Sequence, residues 1–299
     1  MAFAFRQQGG IGEQVRKIAR KQIERALEEC DAQDADFDRT VHGLRRRCKR
    51  LRGLVQLIAP HFKKSKAEDK AFRDAAKGLA GTRDATVMVE TFAALVEHDR
   101  GHGGIIEHDG RMLDWLKDQV GTPPDADEQA DILQAFAKVF RKARKRARDW
   151  DISGHGFARI GDGLEQTYRQ MRRDMAAAQD EGTAETMHEW RKQVKYHWHH
   201  VSLFQNTAPD LLTPRRQVLD KLGEYLGDHH NLAVLGDLLR QHEEAASKSD
   251  LILVRKAIAE RQAGLAKDAF ALGRQLTAEK PGTLRERFAQ YWLLLPKKD

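Results

Sequence analysis

The chain has 299 residues, with 52 Lys and Arg against 45 Asp and Glu, a formal net charge of +7 and a pI near 9.3. That length can bury a sizeable core, and the basic excess favours polyanionic partners without choosing among them. Two cysteines, Cys30 and Cys48, give no disulfide framework, and no apolar run is long enough to span a bilayer, so a soluble, cytoplasmic protein with no membrane association is expected.

The N-terminal MAFAFRQQGG is too short and polar for a signal peptide. Beyond it, good helix formers (Ala, Leu, Arg, Lys, Glu, Gln) fill the stretches between proline and glycine breaks, and strand-like runs are nearly absent. An all-α fold is predicted, with helices over 11–30, 35–59, 66–79, 83–98, 105–120, 125–150, 156–179, 183–206, 212–226, 229–246, 249–277 and 283–294. The breakers are GHGG at 101–104, GTPPD at 121–125 and EKPGT at 279–283, with Asp125 and Thr183 as candidate helix starts.

An internal repeat organises these elements. VHGLRRRCKRLRGLVQLI (41–58) aligns without gaps on MHEWRKQVKYHWHHVSLF (187–204), and His42, Arg45, Lys49, Val55 and Leu57 meet His188, Arg191, Lys195, Val201 and Leu203 at an offset of 146. The next glycine break in each half, Gly81 and Gly227, has the same offset of 146. Two landmarks at one offset predict a single domain over 1–299 made of two related helical bundles, about 11–150 and 155–295.

Each copy carries a histidine-headed basic stripe. At ~100° per residue, Arg45, Arg46, Lys49 and Arg52 lie within about 80° of His42, and Leu44, Cys48, Leu51, Val55 and Ile58 take the opposite side. His188, Arg191, Lys192, Lys195 and His199 repeat the geometry, opposite Trp190, Val194, Val201 and Phe204. No acidic residue interleaves the stripe from His42 to Arg52. Like charges at this spacing cost about 0.2–0.5 kcal/mol per pair, a repulsion that an anion partner offsets. Arg offers a planar fork to phosphate oxygens, Lys a point charge, and His a donor whose charge rises beside phosphate. One basic helix face reads more readily as a solvated surface than as a site; the second copy in register turns the reading towards a site.

These stretches, with LAGTRDATVM and YLGDHHNLAVL following, resemble the CHAD family, the conserved-histidine α-helical domain, over essentially the whole chain. The resemblance implies two helical bundles related by pseudo-twofold symmetry with a basic cleft between them. It also implies binding of inorganic polyphosphate without catalysis, and association with polyphosphate granules. Carried over by position, the binding residues are His42, Arg45, Arg46, Lys49 and Arg52, then His188, Arg191, Lys192 and Lys195, and the stripe adds His199. Arg16 and Arg20 look like a basic pair on the first helix, Tyr168 and Arg172 like its counterpart, and Arg83 matches the arginine of an Arg-Asp step. The family often has aspartate where this chain has Asn231.

Other signals are less directed. RKARKRAR (141–148) reads either as more anion surface or as a solvated helix end, where the helix dipole favours cations. The clusters at His197, His199, His200, His229 and His230 lack carboxylate or cysteine partners at metal-ligand spacing, and the His98-Asp99 and His108-Asp109 pairs lack the remaining ligands of a metal phosphohydrolase. No metal, no cofactor and no enzymatic activity are expected, because no phosphate loop or nucleophile elbow occurs. The alternative partner is nucleic acid, mainly RNA, gripped through its phosphate backbone, with Tyr168, Tyr196 and Trp198 as the candidate stacking residues.

Overall fold

Helices make up the regular structure of a computed structural model that describes residues 3–32, 36–79, 83–106, 110–120, 122–242 and 247–297. They are α1 (Ile11–Cys30), α2 (Phe37–Ile58), α3 (Ser65–Lys77), α4 (Arg83–Arg100), α5 (Gly110–Asp118), α6 (Ala126–Arg148), α7 (Ala158–Glu181), α8 (Ala184–Phe204), α9 (Pro209–Gln241), α10 (Lys248–Leu276) and α11 (Pro281–Trp292). A 3-10 turn, Ala59–His61, follows α2. Both expected helix starts hold. Asp125 accepts from the amides of Asp127 (3.0 Å) and Glu128 (2.9 Å), and Glu128 reaches back to the Asp125 amide, a reciprocal box that satisfies donors left free by the first turn. Thr183 accepts from the Thr186 amide at 3.1 Å.

The apolar stripes go where their period sends them. Leu44, Cys48, Leu51, Val55 and Ile58 of α2 and Trp190, Val194, Val201 and Phe204 of α8 are all fully buried. They join one core built from α1, α2, α3, α6, α7, α8, α11, the first half of α9 and the C-terminal end of α10. A smaller core joins α4, α5, α10 and the second half of α9. Both cores draw on residues before and after position 150, so the packing units cut across the two sequence halves.

Close helix crossings centre on α2. A Cβ on Gly163 of α7 would overlap the Leu57 carbonyl oxygen, and one on Gly53 would stand 2.6 Å from the His199 Cβ. The crossing of α2 and α8 is also pinned by a 3.0 Å hydrogen bond from His200 Nε2 to the Gly53 carbonyl. Residues 53 and 199, which the sequence alignment of 41–58 with 187–204 pairs (199 − 53 = 146), meet at this crossing.

One element differs from expectation. The helices expected over 212–226 and 229–246 are a single helix, α9, continuous through Gly227. Its glycines permit close approach rather than a break. A Cβ on Gly223 would lie 2.7 Å from Lys195 Nζ, and one on Gly227 3.6 Å from Arg191 Nε. Pro214 also lies inside α9, beyond its first turn, where it has no amide to donate to the Asp210 carbonyl. Gly81, the matching landmark, lies outside the described residues, as do His108 and Asp109.

A cationic cleft between two helices

The consecutive arginines of α2 diverge, as ~100° steps require. Arg45 Nη1 donates to the Leu79 carbonyl beyond α3 at 3.4 Å. Arg46 is exposed. Arg47 turns inward, where Nη1 donates to Gln22 (3.2 Å) and Nε to Glu29 (3.1 Å). One turn on, Lys49 is exposed beside Arg46.

Arg46, Lys49 and Arg52 border a cavity of about 510 Å3 whose opposite wall is α8. That wall supplies His188, Arg191, Lys192, Lys195, Tyr196, Trp198 and His199, with Arg73 from α3 and Asp220 from α9. Seven Lys and Arg side chains therefore face one carboxylate.

The charges differ in how they are held. Arg52 is braced: Nε donates to Asp69 at 2.9 Å and Nη2 to the Tyr196 hydroxyl at 2.6 Å. Burial works most strongly against its charge, but the Asp69 hydrogen bond and the nearby Tyr196 and Asp69 together leave its pKa raised. Lys192 pairs with Glu189 at 2.6 Å on the same helix. Arg191 and Lys195 are held differently. Burial lowers both pKa values, opposed by Asp228 for Arg191, while Arg191 adds to the lowering at Lys195. The Arg191 Nε and His188 Nδ1 atoms are buried and lack a hydrogen-bond partner. Desolvated cations lining a cavity are costly alone and are complemented by an anion.

The histidines need correction as charge carriers. Burial and then Arg191 lower the His188 pKa, and its ring packs against His230 at 4.5 Å, itself lowered to about 4 by burial. His199 is almost fully buried, against Gly53 and edge-on to Phe3 at 6.1 Å, and burial holds it neutral with His200 and Arg50 assisting. It forms part of the cavity wall and is not a cationic contact there. His42 is exposed at the N-terminal end of the stripe and does not line the cavity.

Four other expected residues lie elsewhere. Tyr168 is fully buried, its hydroxyl donating to the carbonyls of Leu276 (3.0 Å) and Glu279 (3.1 Å). Arg172 Nη1 donates to the same Glu279 carbonyl at 2.9 Å, so this pair fastens the connection from α10 to α11 and does not line the cavity. Arg16 and Arg20 line a separate groove on α1 that Arg148 of α6 completes. Its lining alternates sign, with Glu13, Glu24 and Glu28 among the basic residues, and Arg20 pairs with Glu24 at 3.7 Å. The 141–148 run is partly neutralised, Arg146 bonding Glu68 at 2.8 Å. Arg83 begins α4, and its side chain lies outside the described residues.

Arg73, Tyr196, Trp198 and Asp220 complete the cleft without having been assigned to it from sequence. Tyr196 and Trp198 were at least candidate stacking residues. Arg73 carries no signal beyond belonging to the polar face of an ordinary amphipathic helix. Among the described residues, no group of three or more His, Cys, Asp or Glu side chains is placed to share a metal ion, and no helix is long and apolar enough to cross a membrane.

Fold and site together define an all-helical domain with a cation-walled cavity. The CHAD domain family model matches residues 17–240, and the chain belongs to this family. Among solved structures, the CHAD domain from the plant Ricinus communis is similar at a TM-score of 0.54 and 15% identity, covering 97% of this chain and 95% of that one. PptA from Streptomyces chartreusis is similar at a TM-score of 0.59 and 12% identity, covering 88% of this chain and 99% of that one. At these identities the likeness is one of fold. No curated protein matches the sequence.

Proposed function

We propose that this protein is a binding module for inorganic polyphosphate, with the cleft between α2 and α8 as its site and association with polyphosphate granules as the setting. The observation that carries the reading is the cleft's composition: seven Lys and Arg side chains from three helices against the single carboxylate of Asp220. A run of phosphates complements this wall, because each phosphoryl group offers oxygens to both forked guanidinium and point-charge ammonium donors. The binding residues are Arg46, Lys49, Arg191, Lys192 and Lys195, with Arg73 at one side and Arg52 as a braced wall. The family resemblance points to the same ligand. The reading assigns no catalytic step.

The test is titration of long-chain polyphosphate into the purified protein, with RNA as competitor. Arg46→Glu, Lys49→Glu and Lys192→Glu combined should abolish binding while leaving the helical circular dichroism intact. Normal binding by that variant defeats the assignment, and preference for RNA transfers the cleft to nucleic acid, with Trp198 and Tyr196 as stacking surfaces.

A further inference from the structure

A second cavity adjoins the cationic one and differs from it in chemistry. Its volume is about 570 Å3, and four glutamines wall it: Gln56 of α2, Gln166 and Gln170 of α7, and Gln193 of α8. Arg73 lines both cavities. The partition between them is the Arg52–Asp69 ion pair at 2.9 Å, with Arg52 facing the cationic side and Asp69 the glutamine side.

The amides are not free to point anywhere. Gln170 Nε2 donates to Asp174 at 2.7 Å, and Gln193 is hydrogen-bonded to the same carboxylate. Each of those amide nitrogens keeps a second N–H, so the two glutamines offer the chamber a donor and an acceptor apiece, and Asp69 adds acceptor oxygens. A phosphate here would meet the Asp69 carboxylate and otherwise neutral amides and hydroxyls, with Lys66 and Arg73 the only cations in the lining. A group that brings its own O–H or N–H donors is matched instead.

We propose that the glutamine-lined chamber holds the uncharged, hydroxyl-bearing end of a ligand whose phosphate chain lies in the adjoining cleft. The ligand class is an oligophosphate esterified to a sugar or polyol. This inference rests on the polyphosphate reading of the cleft and adds recognition of the chain's end.

Calorimetric titration of the full chain at low salt with inorganic tripolyphosphate, ATP and 2′,3′-dideoxy-ATP separates the two claims. ATP should bind about tenfold more tightly than its dideoxy analogue, the equivalent of one or two hydrogen bonds of ~1 kcal/mol each. Base stacking on Trp198 favours both nucleotides equally and cancels from that ratio. Gln166→Ala with Gln170→Ala should bring ATP down to the dideoxy level and leave tripolyphosphate unchanged. Equal affinity for the two nucleotides overturns the chamber while tripolyphosphate binding leaves the cleft standing. Failure of tripolyphosphate itself to bind overturns both.

Discussion

At single positions, the fold depends on where a side chain is missing. Gly163 sits against backbone, the Leu57 carbonyl, which cannot rotate aside as a side chain can. Gly163→Ala should therefore cost about 3 kcal/mol, at the upper end of overpacking penalties. Gly264 of α10 has open space around its missing Cβ, and Gly264→Ala should stabilise by about 0.4–1 kcal/mol through the unfolded chain. Urea unfolding midpoints of the pair check both signs, and similar midpoints for the two variants contradict the crossing geometry. The buried histidines set the pH response. An imidazole titrates near ~6.5 in the unfolded chain. In the fold, burial lowers His200 to about 3, and His197 and His199 are also lowered by burial. Below ~6.5 the unfolded chain binds protons that the folded chain refuses, so this contribution to stability is complete above that pH and is lost as pH falls towards 3. Melting temperatures should drop from pH 7 to pH 4, and His200→Gln, which keeps a donor for the Gly53 carbonyl, should reduce the drop. An unchanged melting temperature over that range contradicts the buried, neutral assignment.

At the scale of helices, the cleft depends on α9 lying close behind α8. Gly223 leaves room for the Lys195 ammonium, the far end of a flexible side chain. Gly223→Ala should thus leave stability unchanged or raise it by up to ~1 kcal/mol of helix propensity, while displacing that ammonium and weakening polyphosphate binding about three- to tenfold. Matched thermal melts and binding titrations report the two effects separately, and unaltered affinity would remove Lys195 from the ligand's path. The same glycines explain what was legible in the sequence. Helical period alone placed the apolar faces of α2 and α8, because burial of one face is what that period encodes. It also put Arg46, Lys49, Arg191, Lys192 and Lys195 on the faces that border the cleft. Gly227 misled because a glycine that ends a helix and one that admits a neighbour look identical without the neighbour. Tyr168 misled similarly, since a hydroxyl reaching the carbonyls of a distant helix end leaves no local trace. Arg73 was invisible because its role comes only from the packing of α3 beside α2.

At the scale of the whole molecule, the decisive question is whether the two basic faces act on one ligand. A polyanion spanning both walls releases counterions from each, so log affinity should fall linearly with log salt, at about −0.7 per phosphate neutralised on a flexible single strand. Engagement of most of the seven cations that line the cleft gives a slope of roughly −3 to −5. Reversing only the α2 wall (Arg46→Glu, Lys49→Glu), only the α8 wall (Lys192→Glu, Lys195→Glu) or both forms a cycle. If one chain lies across both walls, either reversal alone removes most of the affinity, because the reversed charges repel a ligand still held opposite. The second reversal then costs less than it does alone, and the departure from additivity measures the coupling. If the walls bind separate ligands, the losses add and stoichiometry falls by half with each reversal. Titrations of a long and a short polyphosphate at three salt concentrations read slope, stoichiometry and coupling together. Additive losses with halved stoichiometry would show that the cleft is two independent surfaces.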